Sequence, residues 1–282
     1  MKLPDLYESN QKERTMERHF ELELEKLNKR LIKMGNLVAE QVHNVFEALL
    51  KGDGDLAHQI IEKDSKVDKL DNKIDKLCQR LFALTQPVAT DLRLIMAALR
   101  INNDLERMGD HAVAIAQKIE GISDYNEIIK ELQIDEIVKM TDMIVNDVIT
   151  ILNTKNVAFV KDIFDLASSI DEKIQAATAK IMEEMMRKSD VIVVATNLII
   201  ILTNIDRLAG YSTNIAESIV FVVDGRIMKH KKKSFDILSG ALATEAVQNA
   251  APASEHHKEG AESNPETSQV KDPNSEATPS AG

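Results

Sequence analysis

The stretch NNDLERMGDHAVAIA, residues 102–116, recurs one hundred residues later as LTNIDRLAGYSTNIA, residues 202–216. In both copies apolar residues return every three or four positions, which is the spacing of one face of an α-helix. The first copy carries two carboxylates one helical turn apart, Glu106 and Asp110, whereas the second keeps only Asp206. The repeat predicts a duplicated helical fold whose two copies are not chemically equivalent.

The composition is typical of an all-α protein. Of the 282 residues 44% are hydrophobic but only 4% are aromatic, and tryptophan is absent, whereas strand-rich proteins draw heavily on aromatic residues. The net charge of −11 argues against a nucleic-acid partner, because phosphate backbones require a basic footprint. Cys78 is the single cysteine, which excludes an internal disulfide and favours a reducing compartment.

Neither the N-terminal segment nor the longest apolar stretch predicts insertion into a membrane. The first twenty residues contain no continuous apolar run, so we expect no secretory signal. The longest apolar stretch, VIVVATNLIIIL at 191–202, is shorter than the roughly 18–20 residues that a membrane span needs. We therefore expect a cytoplasmic protein that is not transmembrane and is at most peripheral to a membrane.

Glycines and one proline divide the apolar pattern into six helices. KGDGD at 51–55 ends the first helix, and Pro87 favours the start of the third because a proline lacks the N–H that a helix interior needs. The predicted helices are 15–51, 55–84, 87–120, 128–152, 157–187 and 190–224. A period near one hundred residues is too long for a solenoid, and we predict two tandem antiparallel three-helix bundles, residues 1–122 and 123–230.

The remaining segment, residues 231–282, is predicted to be a disordered acidic tail. Residues 241–282 hold seven acids against two lysines and include four of the six prolines, a composition that cannot bury enough apolar surface to fold. Between the bundles and the tail lies RIMKHKKK, residues 226–233. Its cations suit the negative end of a helix dipole, and they would equally suit an acidic partner or an anionic lipid surface.

Two neighbouring helices present acids on one face. With 100° per residue, Glu106 and Asp110 fall within about 40° of Leu99, so they are expected to continue an apolar stripe. The same arithmetic on the second helix aligns Ala57, Ile60, Asp64, Asp68, Asp71, Asp75, Cys78 and Phe82. That stripe is apolar at both ends and acidic in the middle.

The acids of these two helices are expected to meet across the hairpin. Asp64 and Asp110 each lie 23 residues from Pro87, and Asp68 and Glu106 each lie 19 residues from it. Four facing carboxylates repel one another unless protons or cations intervene. All-oxygen ligands suit hard cations such as Mg²⁺, Mn²⁺, Ca²⁺ or iron. The alternative is that the acids are solvated at the edge of the stripe.

The second copy retains half of this arrangement. Asp171 and Asp206 lie at equal distances from the turn near Lys188, so they are expected to face each other. Ala167 and Gly210 stand where the first copy has its outer facing acids. The second copy therefore predicts a reduced site that binds metal more weakly.

These residues resemble the PhoU family of bacterial phosphate-uptake regulators. The resemblance extends over about residues 16–224 and is carried by DSKVDKLDNKID (64–75), QPVATDLRLIMAALRINNDLERMGDHA (86–112) and TNIAE (213–217). It implies a cytoplasmic negative regulator of phosphate uptake and of the phosphate-starvation response, not an enzyme. It further implies contacts with the ATPase of the phosphate transporter and with a membrane sensor histidine kinase, and a homodimer.

The resemblance also implies multinuclear metal clusters held by carboxylates, with iron, manganese, magnesium or zinc as the metal. Carried over residue by residue, the ligands are Asp64, Asp68, Glu106 and Asp110 in the first bundle and Asp171 and Asp206 in the second. The sequence departs from the family pattern at Ala167, Gly210 and Tyr211.

Two other classes of function compete with this interpretation. The first is a metal-free helical scaffold, for which the two bundles alone would suffice. A di-metal carboxylate enzyme normally uses Glu-x-x-His ligands, and neither helix of the first site contains that motif. Among the other candidates, we expect Cys78 to be a core residue and His111 to point away from the acids.

Overall fold

The structure, a computed structural model, describes residues 3–84, 87, 89–122 and 126–225, and this part of the chain contains helices and no β-strand. The α-helices are α1 (Leu3–Lys51), α2 (Gly54–Lys63), α3 (Ser65–Leu84), α4 (Ala89–Ile119), α5 (Asn126–Glu131), α6 (Ile134–Thr154), α7 (Val160–Arg187) and α8 (Ile192–Asp224). Single 3₁₀ turns occupy Glu120–Ile122, Val157–Phe159 and Ser189–Val191. The all-α prediction is confirmed, and the predicted tail, 231–282, lies outside the described residues.

Three predicted helix boundaries are wrong. The first helix begins at Leu3 instead of Thr15, and Pro4 suits the first turn of a helix, where its missing N–H is not needed. The second predicted helix is two helices, interrupted at Asp64, whose carbonyl accepts the N–H of Val67 at 2.8 Å. The fourth is divided into α5 and α6 by Gln133, which takes the left-handed conformation at φ 55°.

The corner after the first helix of each copy has the same construction. Gly52 ends α1 at φ 67°, and the Asp53 side chain then caps α2 by accepting the Leu56 N–H at 2.9 Å. In the second copy Lys155 takes the left-handed conformation at φ 58°, and Asn156 accepts the Ala158 N–H at 3.1 Å. An aspartate or asparagine at such a position satisfies a backbone donor that the helix start leaves unpaired.

Each long helix buries one apolar face. On α1 the buried residues recur at helical spacing: Leu27, Leu31, Met34, Val38, Val42, Val45 and Leu49. The third helices of the two copies, α4 and α8, pack against each other at the centre of the molecule. They run antiparallel, because the start of α4 at Arg93 lies beside Gly225, and Gly121 lies beside Asn197.

The two copies lie side by side. α4 also packs against α1, α2 and α3, α8 packs against α6 and α7, and the first helices α1 and α6 contact each other. His111 and Tyr211 occupy equivalent positions in the two copies, and their rings stack with centroids 5.5 Å apart. Contact between equivalent residues indicates an approximate twofold axis at that point. All the described residues lie in one compact unit.

Contrary to the sequence expectation, one segment is long and apolar enough to cross a membrane. Among the described residues it is Ser189–Asp224, which has a mean hydropathy of 1.8 over its most apolar window. In the fold this segment is the core helix α8, whose Leu198, Ile205 and Ile215 are fully buried. A central bundle helix is apolar around most of its circumference because neighbours surround it.

Candidate metal centre

The first carboxylate cluster lies where α2 and α3 meet α4. Asp64 occupies the break between α2 and α3, and Asp68 lies in the first turn of α3. Acids at a helix N-terminus are favoured by the helix dipole. Gly109 of α4 lacks a side chain at this point, and a Cβ placed there would lie 3.4 Å from Asp64 Oδ1. The α4 backbone therefore approaches the Asp64 carboxylate closely.

The acids predicted from the sequence influence one another electrostatically. Burial raises the pKa of Asp64, and the carboxylates of Asp68 and Asp110 raise it further. Burial likewise raises the pKa of Glu106, with further increases from Asp110, Asp71 and Asp68. Asp64, Asp68, Glu106 and Asp110 therefore lie close enough for their ionised forms to repel one another.

The side chains of the acids are more exposed to solvent than the predicted apolar stripe implied. Asp68 and Asp110 are exposed, whereas Asp64 and Glu106 are half-buried. The buried face of α4 is centred on residues such as Leu105 and Met108 instead of Leu99, which is only partly buried. The expectation that the acids continue the apolar stripe is therefore wrong in detail. Because α4 packs against four other helices, its buried face is wide, and the acids lie along its edge.

Asp71 also belongs to the cluster, although it was not among the predicted ligands. Its carboxylate raises the pKa of Glu106, and its own pKa is raised by burial and by Asp75. Asn102, which is 1% exposed, donates to Asp71 Oδ1 at 2.7 Å and to Asp75 Oδ1 at 3.2 Å. The position of Asp71 on the predicted acidic stripe could have indicated its membership of the cluster. Its hydrogen bond with Asn102 could not be predicted from the sequence.

A second unpredicted residue, Gln41, reaches the cluster from α1. Its side chain is 8% exposed, and its Nε2 donates to Asp64 Oδ1 at 2.9 Å. Its Oε1 is buried and has no hydrogen-bond partner. A buried acceptor without a donor is costly, and a cation beside the carboxylates would satisfy it. The sequence signal was a polar residue on the apolar face of α1.

The donor set fits a hard cation in chemical type. Carboxylate and amide oxygens are the ligands that Mg²⁺, Mn²⁺, Ca²⁺ and oxidised iron take in proteins. Among the residues that the structure describes, however, no three His, Cys, Asp or Glu side chains converge closely enough to hold an ion as they stand. Metal binding by this cluster would therefore require its side chains to rearrange.

The second copy shows the reduced arrangement. Burial raises the pKa of Asp206, and the Asp171 carboxylate raises it further, against an opposing effect of Arg207. Asp171 Oδ1 also accepts a hydrogen bond from Gln175 at 2.9 Å. A side chain at Gly210 would meet nothing within 4 Å. The two acids are therefore close enough to interact, and Gly210, with open space beside it, stands where the first copy has Asp110.

Cys78 and His111 have structural roles. Cys78 is completely buried, and burial raises the pKa of its thiol to about 12. His111 donates from Nδ1 to Asn204 Oδ1 at 2.7 Å and stacks on Tyr211. Both predictions are confirmed, since the thiol is part of the core and the imidazole faces α8 instead of the acids.

Comparison with known proteins agrees with the duplicated architecture. The family model described as the PhoU domain matches residues 31–119 and again residues 134–219. A phosphate-specific transport system accessory protein PhoU homolog of Clostridium acetobutylicum is 28% identical over 210 residues, which are 73% of this chain and 95% of the relative. The homolog of Caulobacter vibrioides is 29% identical over 218 residues, 77% of this chain and 95% of the relative.

Solved structures show the same likeness. The crystal structure of PhoU from Pseudomonas aeruginosa superposes with a TM-score of 0.68 at 27% identity, covering 73% of this chain and all of that protein. The phosphate transport system regulatory protein PhoU from Streptococcus pneumoniae superposes with a TM-score of 0.67 at 28% identity, covering 74% and 99%. With two matched domains that together span more than half of its length, the chain belongs to the PhoU family.

Proposed function

We propose that this protein is a cytoplasmic negative regulator of phosphate uptake and of the phosphate-starvation response. Its relatives are named accessory or regulatory proteins of the phosphate transport system, which supports an association with that system. The partners would be the ATPase subunit of the transporter and a membrane sensor histidine kinase. The protein would act as an adaptor, as a homodimer and without an enzymatic reaction of its own.

The observation that supports a mechanism is the carboxylate cluster of the first copy. Asp64 and Asp68 stand at the junction of α2 and α3, Glu106 and Asp110 stand on α4, and Gln41 reaches them from α1. The oxygen-bearing side chains of the proposed site thus belong to α1, to the α2–α3 junction and to α4. A bound cation would neutralise the facing carboxylates and fix these segments relative to one another.

The residues of the chain define what such a site can do. Asp64 sits at the break between α2 and α3, where its carbonyl accepts from the Val67 N–H at 2.8 Å and from the Asp68 N–H at 3.4 Å. Asp68 and Asp110 are exposed, so their side chains can turn without breaking the core. A change in ligation at this junction would alter the surface formed by α2, α3 and α4, which we propose is read by a partner.

Deletion of the gene in its host tests the function directly. We expect alkaline phosphatase and phosphate uptake to rise in phosphate-rich medium, because a negative regulator has been removed. The wild-type gene should restore repression, and the Asp64→Asn/Asp110→Asn double variant should fail to restore it. A normal phosphate response in the deletion strain would reject the proposed function.

A metal-free scaffold is the second candidate, and the absence of three converging ligands among the described side chains favours it. The two candidates differ in the complementation experiment. A scaffold would repress normally with Asp64→Asn/Asp110→Asn, provided that the variant accumulates to wild-type levels.

A further inference from the structure

We propose that Lys155 is a modification site, at which the side-chain amine accepts a small acyl group from an acyl phosphate. Lys155 caps the C-terminus of α6 and lies where the second copy meets the first. This inference goes beyond the proposed regulatory role and does not depend on the carboxylate cluster.

The backbone conformation of Lys155 is one that glycine adopts far more easily. Its φ of 58° lies in the left-handed region, and among the described non-glycine residues only Gln133 shares this property. In the first copy the equivalent position is Gly52, at φ 67°. The helix end itself would favour glycine, so the backbone gives no reason for a lysine here. A residue held in such a conformation suggests a use for its side chain.

Lys155 lines a narrow cleft between the two copies, here called the lysine cleft. Its walls come from α1 and α4 of the first copy and from α8 of the second, and they include Leu27, Leu94, Ala98 and Ile219. The free volume of the lysine cleft is about 10 Å³, roughly the space of one water molecule. The surroundings of the lysine are therefore apolar and closely packed.

The amine of Lys155 has no counter-charge in these surroundings. It forms no ion pair and no hydrogen bond with the residues that the structure describes. Burial lowers the pKa of the amine, and no described carboxylate opposes this effect. Apart from Lys155 itself, Asn28 is the polar residue among the described residues that line the lysine cleft. Because a desolvated ammonium group is unfavourable, the neutral amine is more abundant here than on a solvated lysine.

A neutral amine in an apolar setting is a nucleophile, and proteins use such lysines for covalent chemistry. The nitrogen lone pair would attack the carbonyl carbon of the acyl phosphate and form an N–C bond. The C–O bond to the phosphate would break, inorganic phosphate would leave with the electron pair, and the nitrogen would lose its proton to solvent. The product is an uncharged amide, which suits apolar walls better than an ammonium group does.

The dimensions of the lysine cleft restrict the acyl group. Lys155 is only partly buried, so a reagent can reach its amine from solvent. An acetyl group adds three heavy atoms, which a small movement of the lysine accommodates, whereas an aromatic acyl group meets the packed walls. Acetylation would replace a charge between the two copies by a neutral group, and we expect it to stabilise their contact.

The test is acetylation of the full chain by acetyl phosphate at pH 7, with the rate at each lysine measured by peptide mass spectrometry. Lys161, an exposed lysine in the first turn of α7, is the internal reference. We expect Lys155 to react at least about fivefold faster than Lys161 in the native protein, and at a similar rate in guanidinium chloride. The preference should shrink near about pH 10.5, where exposed lysines also lose their protons, and benzoyl phosphate should show none.

Asn28 allows a matched pair of variants. Asn28→Glu places a carboxylate in the lysine cleft and favours the ammonium form, so the rate at Lys155 should fall to that of Lys161 or below. Asn28→Gln lengthens the side chain equally without a charge and should keep the preference. Lys155→Met removes the amine but keeps a long side chain, and it should unfold at a higher temperature than wild type because no charge is then desolvated.

The proposal fails on any of three results. The first is acetylation of Lys155 in the native protein at pH 7 that is no faster than acetylation of Lys161. The second is an equal rate at Lys155 in Asn28→Glu and in Asn28→Gln. The third is a lower unfolding temperature of Lys155→Met, which would show that the amine has a stabilising partner.

Discussion

Asp104 shows how a single residue distinguishes the two copies. It lies on α4 at the interface with α8, and its equivalent in the second copy is Asn204. Burial raises the pKa of Asp104 from 3.8 to about 6, against opposing effects of Arg107 and Arg100 and with a smaller increase from Glu217. The ionised form is therefore less stable in the folded protein than in the unfolded chain.

Asp104→Asn should stabilise the protein at neutral pH. An acid whose pKa is raised on folding binds more protons in the folded state, so it destabilises the fold as the pH rises from about 4 through about 6. We expect the variant to gain roughly 1–2 kcal/mol at pH 7, after allowance for partial solvent access, and nothing at pH 3. Denaturant unfolding of both proteins between pH 3 and pH 7 measures this difference in unfolding free energy. A variant less stable than wild type at pH 7 would refute the prediction.

Cys78 offers a probe of the first bundle. With a pKa of about 12, roughly one thiol in ten thousand is ionised at pH 8, and the side chain is fully buried. We expect a disulfide reagent to label the native protein at least a thousandfold more slowly than the protein in guanidinium chloride. Fast labelling of the folded protein would show that the core around α3 opens readily.

At the scale of the helix, the periodicity of the sequence was sufficient for most elements. Gly52 and Gly225 both end helices at positive φ, as their positions in the apolar pattern indicate. The break at Asp64 was not predictable, because no proline or glycine marks it and its dihedral angles, φ −56° and ψ −35°, are those of a helix. The Asp64 carbonyl accepts from both Val67 and Asp68, a local tightening of the helix that the residue types at these positions do not indicate.

The register of α3 against α4 was predictable from the sequence, but the burial of the acids between them was not. Counting from Pro87 placed Asp64 opposite Asp110, and the effect of the Asp110 carboxylate on the pKa of Asp64 agrees with that placement. Counting along one pair of helices could not include α1, so Gln41 was missed. The exposure of Asp68 and Asp110 was missed for the same reason, because it depends on how far α4 is covered by its other neighbours.

The α7–α8 pair can be used to rebuild the site. Ala167→Asp/Gly210→Asp restores the two missing acids, and a side chain at Gly210 has open space. We expect this variant to bind additional divalent metal in the second copy, and to be less stable than wild type in chelator because four acids then face one another. Ala167→Asn/Gly210→Asn is the control of equal size, and equal metal stoichiometry in the two variants would contradict the assignment.

At the scale of the whole molecule, the sequence repeat predicted the duplication, and packing decided how the copies join. Nothing in residues 102–116 or 202–216 says that α4 and α8 lie against each other. The contact between the rings of His111 and Tyr211 shows that these two helices pack together. Because α4 and α8 run antiparallel, their N-termini lie at opposite ends of the described unit. The chemical asymmetry comes from the sequence, since the first copy carries four candidate ligands and the second copy only Asp171 and Asp206.

The most direct test of the central claim is a metal titration of the chelator-treated protein, with bound metal and the unfolding temperature measured together. We expect wild type to bind Mn²⁺ or iron and to be stabilised by it. Asp64→Asn/Asp110→Asn should lose most of the binding yet melt higher than wild type in chelator, because facing charges have been removed. Asp171→Asn/Asp206→Asn should retain most of the binding. Equal losses in both variants, or no metal-dependent stabilisation of wild type, would contradict a first-copy metal centre.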